Sequence, residues 1–194
     1  YQDTFGFIDN NIKIMDRTFA LLKKHEKPFI FASSQMAEMY YSTYGVLKSI
    51  GERMTKSLGG VIVRFWNVYG YEEDEEKSHV ITDFIKMAKY NGEINMRTDG
   101  EEMRQFLHAD DASECLLTLS NKWNEIEKGV PFHITNFKWT KILWIAQYVQ
   151  KISGCKININ DRKDQTQRNA LNEPNTKILK YWKPKTLLNK GMDD

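Results

Sequence analysis

Two short apolar runs limit what this chain can become. Phe29-Ile30-Phe31-Ala32 and Val61-Ile62-Val63 each follow a helical segment after only a few residues. Both are apolar throughout, with no alternation between a wet and a dry face, so each reads as a strand buried on both sides. The first helical segment spans about 7 to 24, with Ile12, Met15, Phe19 and Leu22 at spacings of three and four. The second covers about 42 to 58 and closes at Leu58-Gly59-Gly60, where glycine supplies the left-handed cap. Helix, short loop and strand, met twice, is the order of an α/β domain with a parallel sheet. The chain opens at Tyr1 just ahead of a helix, with no strand before it. It is therefore expected to be a fragment, or to complete its sheet with another chain.

The second half has a different rhythm. A helix is expected at about 80 to 91, then an alternating strand from Glu93 to Thr98, a hairpin-type turn at Asp99-Gly100 and a returning strand over 103 to 108. Asp110 and Asp111 open a helix to about 120. Strands at 131 to 135 and 156 to 159 flank a helix at 139 to 152, and short helices follow near 175 to 190. The acidic loop near 71 to 78 is the best boundary between two regions, 1–70 and 71–194.

Composition excludes several function classes. The 194 residues carry a net charge of +2, so no strong field draws the chain to nucleic acid or to a membrane surface. No apolar run is long enough to span a bilayer, and no secretory signal is evident. Cys115 and Cys155 have no metal-ligand spacing, and His25, His79, His108 and His133 have none either. Free thiols and the lack of a signal point to a cytoplasmic protein.

Topology gathers the polar residues that carry chemistry. Ligands of open parallel sheets bind beyond the carboxyl ends of the strands. Ser33-Ser34 ends one strand and Trp66-Asn67 ends the next, while the helix between them begins on the same edge near Tyr44. Tyr44 and Lys48 stand four residues apart, on one face of that helix. A phenol becomes a useful base at neutral pH only if its pKa falls by roughly three units, and a neighbouring ammonium drives it in that direction. With a serine hydroxyl opposite, the set suits removal of a proton from an alcohol. A Tyr/Lys pair alone is common on helix surfaces; its place between Ser33-Ser34 and Arg64-x-x-Asn67 is what distinguishes it.

Five segments follow in a telling order: Asp9-Asn10-Asn11-Ile12, Phe29 to Ser34, Tyr44-Gly45-Val46-Leu47-Lys48, Val63 to Gly70, and Arg104-Gln105-Phe106-Leu107-His108-Ala109-Asp110-Asp111. In these the chain resembles the extended short-chain dehydrogenase/reductases, the group of UDP-galactose 4-epimerase and the nucleotide-sugar dehydratases. The resemblance implies the carboxyl-terminal half of a Rossmann-type, doubly wound parallel sheet plus a small α/β substrate lobe. It implies Ser34, Tyr44 and Lys48 as the catalytic group, with Tyr44, Lys48, Asn11 and Trp66 on the side of a bound NAD or NADP. Asn67, Arg104, His79 and Val80 would hold a nucleotide-diphosphate sugar together with Ser34. The implied activity is epimerisation through a transient keto sugar, with a reductase, a dehydratase or a non-catalytic binding fragment as alternatives. Simpler roles stay open: Asn67 as a turn residue, His79 as a helix start, Arg104 paired with Glu101 or Glu102, and His108 and Asp111 as caps of the following helix.

The sequence departs from that pattern in four places. No glycine-rich phosphate turn occurs in the 194 residues. Ser34 and Tyr44 are close in sequence, where the resembled epimerases have a longer loop. Gln35-Met36 stands where 4,6-dehydratases carry an acidic pair, which argues against that elimination. Asp161-Arg162-Lys163-Asp164 only partly matches the family's late Arg-x-Gly-Asp segment. Surplus apolar surface on the first two helices (Phe7, Ile8, Ile14 and Leu21; Met54 and Leu58) suggests a homodimer of the complete protein. The missing phosphate turn predicts that residues 1–194 alone show no NAD binding in a calorimetric titration; micromolar affinity would contradict this.

Overall fold

The computed structural model describes residues 4–39, 42–72, 79–164 and 172–193. The acidic run expected to mark a boundary lies mostly outside these residues. The chain divides into two compact units. The first comprises residues 1–66, 115–134 and 175–182, and the second comprises residues 67–114, 135–174 and 183–194.

The first unit opens with α1, Phe5–His25, whose start is capped by the Thr4 hydroxyl accepting from Phe7 N. Strand β1 is Ile30–Ser34, helix α2 is Thr43–Ser57 and strand β2 is Val61–Phe65. A 3₁₀ turn, Gln35–Glu38, leaves β1 with the Ser34 hydroxyl as its cap. β1 runs parallel to β2, Ile30 opposite Val61 and Ser33 opposite Arg64. β2 also pairs in parallel with β6, Pro131–Ile134. The sequence division at residue 70 leaves Pro131–Ile134 in the second region, whereas backbone hydrogen bonds join it to β2. Val61, Ile62 and Val63 are buried completely or nearly so, as the unbroken apolar run requires, and Phe132 and Ile134 extend that core.

Aromatic packing and two close glycine contacts fix α2 in this unit. Phe19 of α1 meets the rings of Phe29 and Phe31 at centroid distances of 5.9 Å. Gly51 of α2 leaves room for the Phe31 ring, which a Cβ would overlap. At Gly45 a Cβ would collide with Met36 O and stand 2.9 Å from Met39 O. The first turn of α2 is thus seated directly on the backbone that follows Ser34. Phe5, Ile12, Ile14 and Leu21 of α1 and Val46 and Ile50 of α2 remain exposed.

The second unit holds β3, Asn67–Tyr69, parallel to β5, Met103–His108, which is in turn antiparallel to β7, Trp139–Lys141. Strand β4, Glu93–Asn95, pairs in parallel with β8, Lys156–Asn158. Helices α3, Val80–Asn91, and α5, Ile142–Ser153, bury Ile81, Phe84, Ile145, Ala146 and Val149 in one core with Ile94 and Phe106. Helix α4, Ala109–Asn121, begins in this unit, and α6, Lys190–Asp193, ends it.

The expected hairpin at Asp99-Gly100 does not form. Met96 N bonds Asn158 O and Asp99 N bonds Arg162 O, so the chain beyond β4 keeps following the segment after β8. Gly100 adopts φ +73, its N–H donates to the Thr98 hydroxyl and its carbonyl accepts from Leu143 N. The turn signal was real, but its two flanks pair with different strands.

These contacts separate two kinds of glycine. Gly45→Ala forces a methyl group into fixed backbone and should cost about 2–3 kcal/mol by overpacking. Gly59→Ala, at φ +69 with nothing near its Cβ position, should cost only about 1 kcal/mol of backbone strain. Thermal denaturation of the two variants should rank them in that order.

Candidate functional site

Ser34, Tyr44 and Lys48 all belong to the first unit. The Ser34 hydroxyl accepts from Met36 N at 3.2 Å, which holds it at the mouth of the turn on which Gly45 sits. Tyr44 occupies the first turn of α2, after the Ser42 cap that accepts from Gly45 N. One turn on, the Lys48 ammonium lies 5.5 Å from the Tyr44 ring centroid and 5.4 Å from that of Phe31. It donates to Ala32 O at 2.8 Å, and burial pulls its pKa below the ordinary lysine value. A half-buried cation over the phenol ring favours the phenolate. This group can hold an alcohol and exchange its proton.

Beneath it lies a charged network that sequence reasoning missed. Arg64 of β2 donates through Nε to Glu52 Oε1 at 2.7 Å and through Nη2 to Glu52 Oε2 at 2.6 Å. Its Nη1 reaches Glu38 at the end of the 3₁₀ turn. The Ser33 hydroxyl donates to Glu52 Oε1 at 2.6 Å. Burial works against the Arg64 charge, but the hydrogen bonds and charges of Glu52 and Glu38 outweigh it and raise the pKa. Trp66 Nε1 donates to His133 Nδ1 at 3.2 Å, and the other ring nitrogen, Nε2, lies 3.3 Å from Arg64 Nη1. His133 Nε2 also faces Glu38 Oε1 at 3.8 Å. Two signals could have revealed this network: an arginine inside a buried apolar strand needs an acid partner, and Glu52 continues the Tyr44, Lys48 spacing by four.

The expected substrate residues Asn67, His79, Val80 and Arg104 line one cavity of about 400 Å³ in the second unit, with Phe84, Met96 and Arg97. The Asn67 amide donates to Gln105 O at 3.1 Å. His79 heads α3 without capping it through its side chain. Arg104 pairs with neither Glu101 nor Glu102; its Nη2 donates to Asp164 Oδ2 at 2.9 Å, and Glu101 instead meets Lys141. Asp164 and Arg97 were not foreseen as neighbours of this cavity. At the start of α4, His108 Nδ1 accepts from Asp110 N as a cap would, whereas buried Asp111 accepts from Lys185 N and Thr186 N and so ties α4 to that later segment.

The residues present fit one end of a nicotinamide cofactor. Lys48 gives one of its three N–H groups to Ala32 O, and its ammonium has two more N–H groups suited to ribose hydroxyls. Trp66 is buried against His133. Asn11 turns its amide nitrogen to Phe7 O within its own helix. Nothing in the 194 residues supplies a glycine-rich turn for the pyrophosphate.

A family model described as the NAD dependent epimerase/dehydratase family matches residues 1–135. The chain is 28% identical over 145 residues to a dTDP-D-glucose 4,6-dehydratase of Homo sapiens, covering 68% of this chain and 39% of that protein. It is 27% identical over 134 residues to UDP-glucuronic acid decarboxylase 2 of Arabidopsis thaliana, covering 68% of this chain and 29% of that protein. The chain therefore spans less than half the length of these relatives. A mutant UDP-glucuronic acid 4-epimerase from Bacillus cereus, solved with UDP-4-deoxy-4-fluoro-glucuronic acid and NAD, aligns with a TM-score of 0.76 at 21% identity. That alignment covers 94% of this chain and 65% of the other. The likeness establishes a partial Rossmann-type α/β fold.

His133 gives the network a pH signature. Burial, reinforced by Arg64 and opposed by Glu38 and Glu52, lowers its pKa from 6.5 to about 4. Between these values the unfolded chain binds a proton that the folded chain refuses, so stability falls as pH falls through this window. The full loss is about 3 kcal/mol. His133→Asn should flatten the plot of unfolding free energy against pH by about one proton across that interval, measured by urea denaturation.

Proposed function

The chain belongs to the NAD-dependent epimerase/dehydratase family, and from that premise we propose that it carries the proton-transfer group and the substrate pocket of a nucleotide-sugar epimerase. The observation that carries this reading is the Lys48 ammonium set against the ring of Tyr44, on a helix whose first turn rests on the backbone behind Ser34. Ser34 would hold the reacting sugar hydroxyl, and Tyr44, kept acidic by Lys48, would take its proton. Bound NAD would supply the two-electron acceptor for the carbon-bound hydrogen. Tyr44 would return the proton when the keto sugar is reduced again on its other face. Lys48 would hold the nicotinamide ribose, with Trp66 beside the ring and Asn11 on the same side of the cofactor.

The cavity of the second unit would take the nucleotide diphosphate. Arg104 suits this because a planar guanidinium gives paired, charge-assisted bonds to phosphate. Asn67, His79 and Val80 share its lining. Asp164 now occupies the Arg104 fork, so a phosphate would have to displace it or share it.

A dehydratase is the second reading, favoured by the human relative. Gln35 and Met36 supply no carboxyl group at the two positions after Ser34, so water elimination lacks its acid there. Among the described residues no helix is long and apolar enough to cross a membrane. The exposed apolar residues of α1 and α2 support a homodimer of the complete protein. Ile14→Glu should dissociate it in sedimentation while leaving turnover chemistry in place.

The decisive experiment uses the complete protein. Tyr44→Phe should lower turnover of UDP-glucose or UDP-glucuronic acid by about 10²–10⁴-fold with an unchanged circular dichroism spectrum. Near-normal turnover in that variant would remove Tyr44 from the chemistry.

A further inference from the structure

Tyr44, Lys48 and Glu52 repeat every four residues and so stand on one face of α2, each about 6 Å along the axis from the next. The lower two grip β1 at consecutive residues. Lys48 binds Ala32 O, and Glu52 receives the hydroxyl of Ser33. Ser34 comes next. On its far side, Glu38 ends the turn that Ser34 caps, and Glu38 is held by the same arginine that clamps Glu52. Arg64 is also the residue that pairs with Ser33 in the sheet register. Arg64 and its two acids therefore tie down the strand before Ser34, the turn after it and the helix that bears Tyr44 and Lys48.

We infer that Glu52, clamped by Arg64, is the positioning residue that sets the distance and register between Ser34 and the Tyr44/Lys48 pair. This rests on the reading of those three residues as the proton-transfer group. Glu52 itself is buried behind them and touches no reacting atom. Its side chain is 9% exposed and that of Arg64 is 10%. A buried ion pair is weak evidence for stability, since an apolar pair of similar volume is often as stable. What an apolar pair cannot reproduce is direction. Both oxygens of Glu52 are bound by three donors from two strands, so this turn of α2 is tethered to β1 and β2 in a defined direction. Catalysis is sensitive to such placement, because a misplacement of about 1 Å in a reacting group costs up to about a hundredfold in rate.

The test compares Ser33→Ala, Glu52→Gln and Tyr44→Phe in the complete protein. Substrates are UDP-glucose, UDP-glucuronic acid and dTDP-glucose, and assays are run well below each variant's melting midpoint. Ser33→Ala removes one hydrogen bond without disturbing the ion pair, so it stays folded even if Glu52→Gln does not. The expected result is a fall in kcat of about threefold to tenfold for Ser33→Ala and about ten- to a hundredfold for Glu52→Gln, with KM for the nucleotide sugar unchanged within about twofold. A merely structural role would lower the melting midpoint and leave kcat of the folded protein at the parental value. Parental kcat in Ser33→Ala, and in Glu52→Gln wherever that variant folds, beside an inactive Tyr44→Phe, overturns the positioning role alone. An active Tyr44→Phe, or a parent that turns over none of the three sugars, removes the proton-transfer reading and this inference with it.

Discussion

The Arg64–Glu52 pair is the interaction on which the first unit depends. An arginine in the middle of a buried parallel strand would leave a charge without solvent, a cost of several kcal/mol unless it is matched. Glu52 matches it with two bonds, and Glu38 takes a third. Because these acids lie on α2 and on the turn after β1, satisfying one charge orients three segments. A third acceptor site of Glu52 is met by Ser33. An apolar residue at position 64 would pack the strand as well, yet it would not specify where α2 sits along β1.

The same electrostatic setting divides the ionisable groups by task. Arg64 is kept charged by its acids, whereas His133, a few ångströms away, is kept neutral by burial and by that arginine. Neutrality leaves Nδ1 able to accept from the indole of Trp66, the residue that follows β2. Lys48 is intermediate: burial weakens its ammonium, while the Tyr44 and Phe31 rings and Ala32 O support it. A cation that is only partly satisfied retains the capacity to stabilise a phenolate beside it.

The second unit solves a different problem with the same residue type. Arg104 lies on β5 at the wall of a cavity, half-buried and paired with Asp164. Arg64 is locked by three donor–acceptor contacts with acids, while Arg104 makes one to an acid and one to its neighbour's carbonyl at Met103. The contrast follows from location: a core arginine is fully enclosed by partners, and a cavity arginine keeps directions open toward the space it lines.

Local sequence determined the elements and the alignment of Tyr44 with Lys48. Apolar runs without alternation gave the buried strands at Ile30–Ser34 and Val61–Phe65, the glycine pair after Leu58 gave the helix stop, and the four-residue spacing placed Tyr44 and Lys48 on one face. Each depends on neighbours within a turn or a strand, where periodicity and caps operate. Only the tertiary structure decided that Pro131–Ile134 joins β2, that β4 pairs with β8 instead of β5, and that Arg104 meets Asp164. Those pairings join residues far apart in sequence, and a turn signal such as Asp99-Gly100 fixes a local bend without naming the strand that each flank will meet. The charged network lay between the two cases. Arg64 in an apolar strand announced that it needed an acid, but the choice of Glu52 and Glu38 followed from the close seat that Gly45 and Gly51 give α2 against the segment around Ser34.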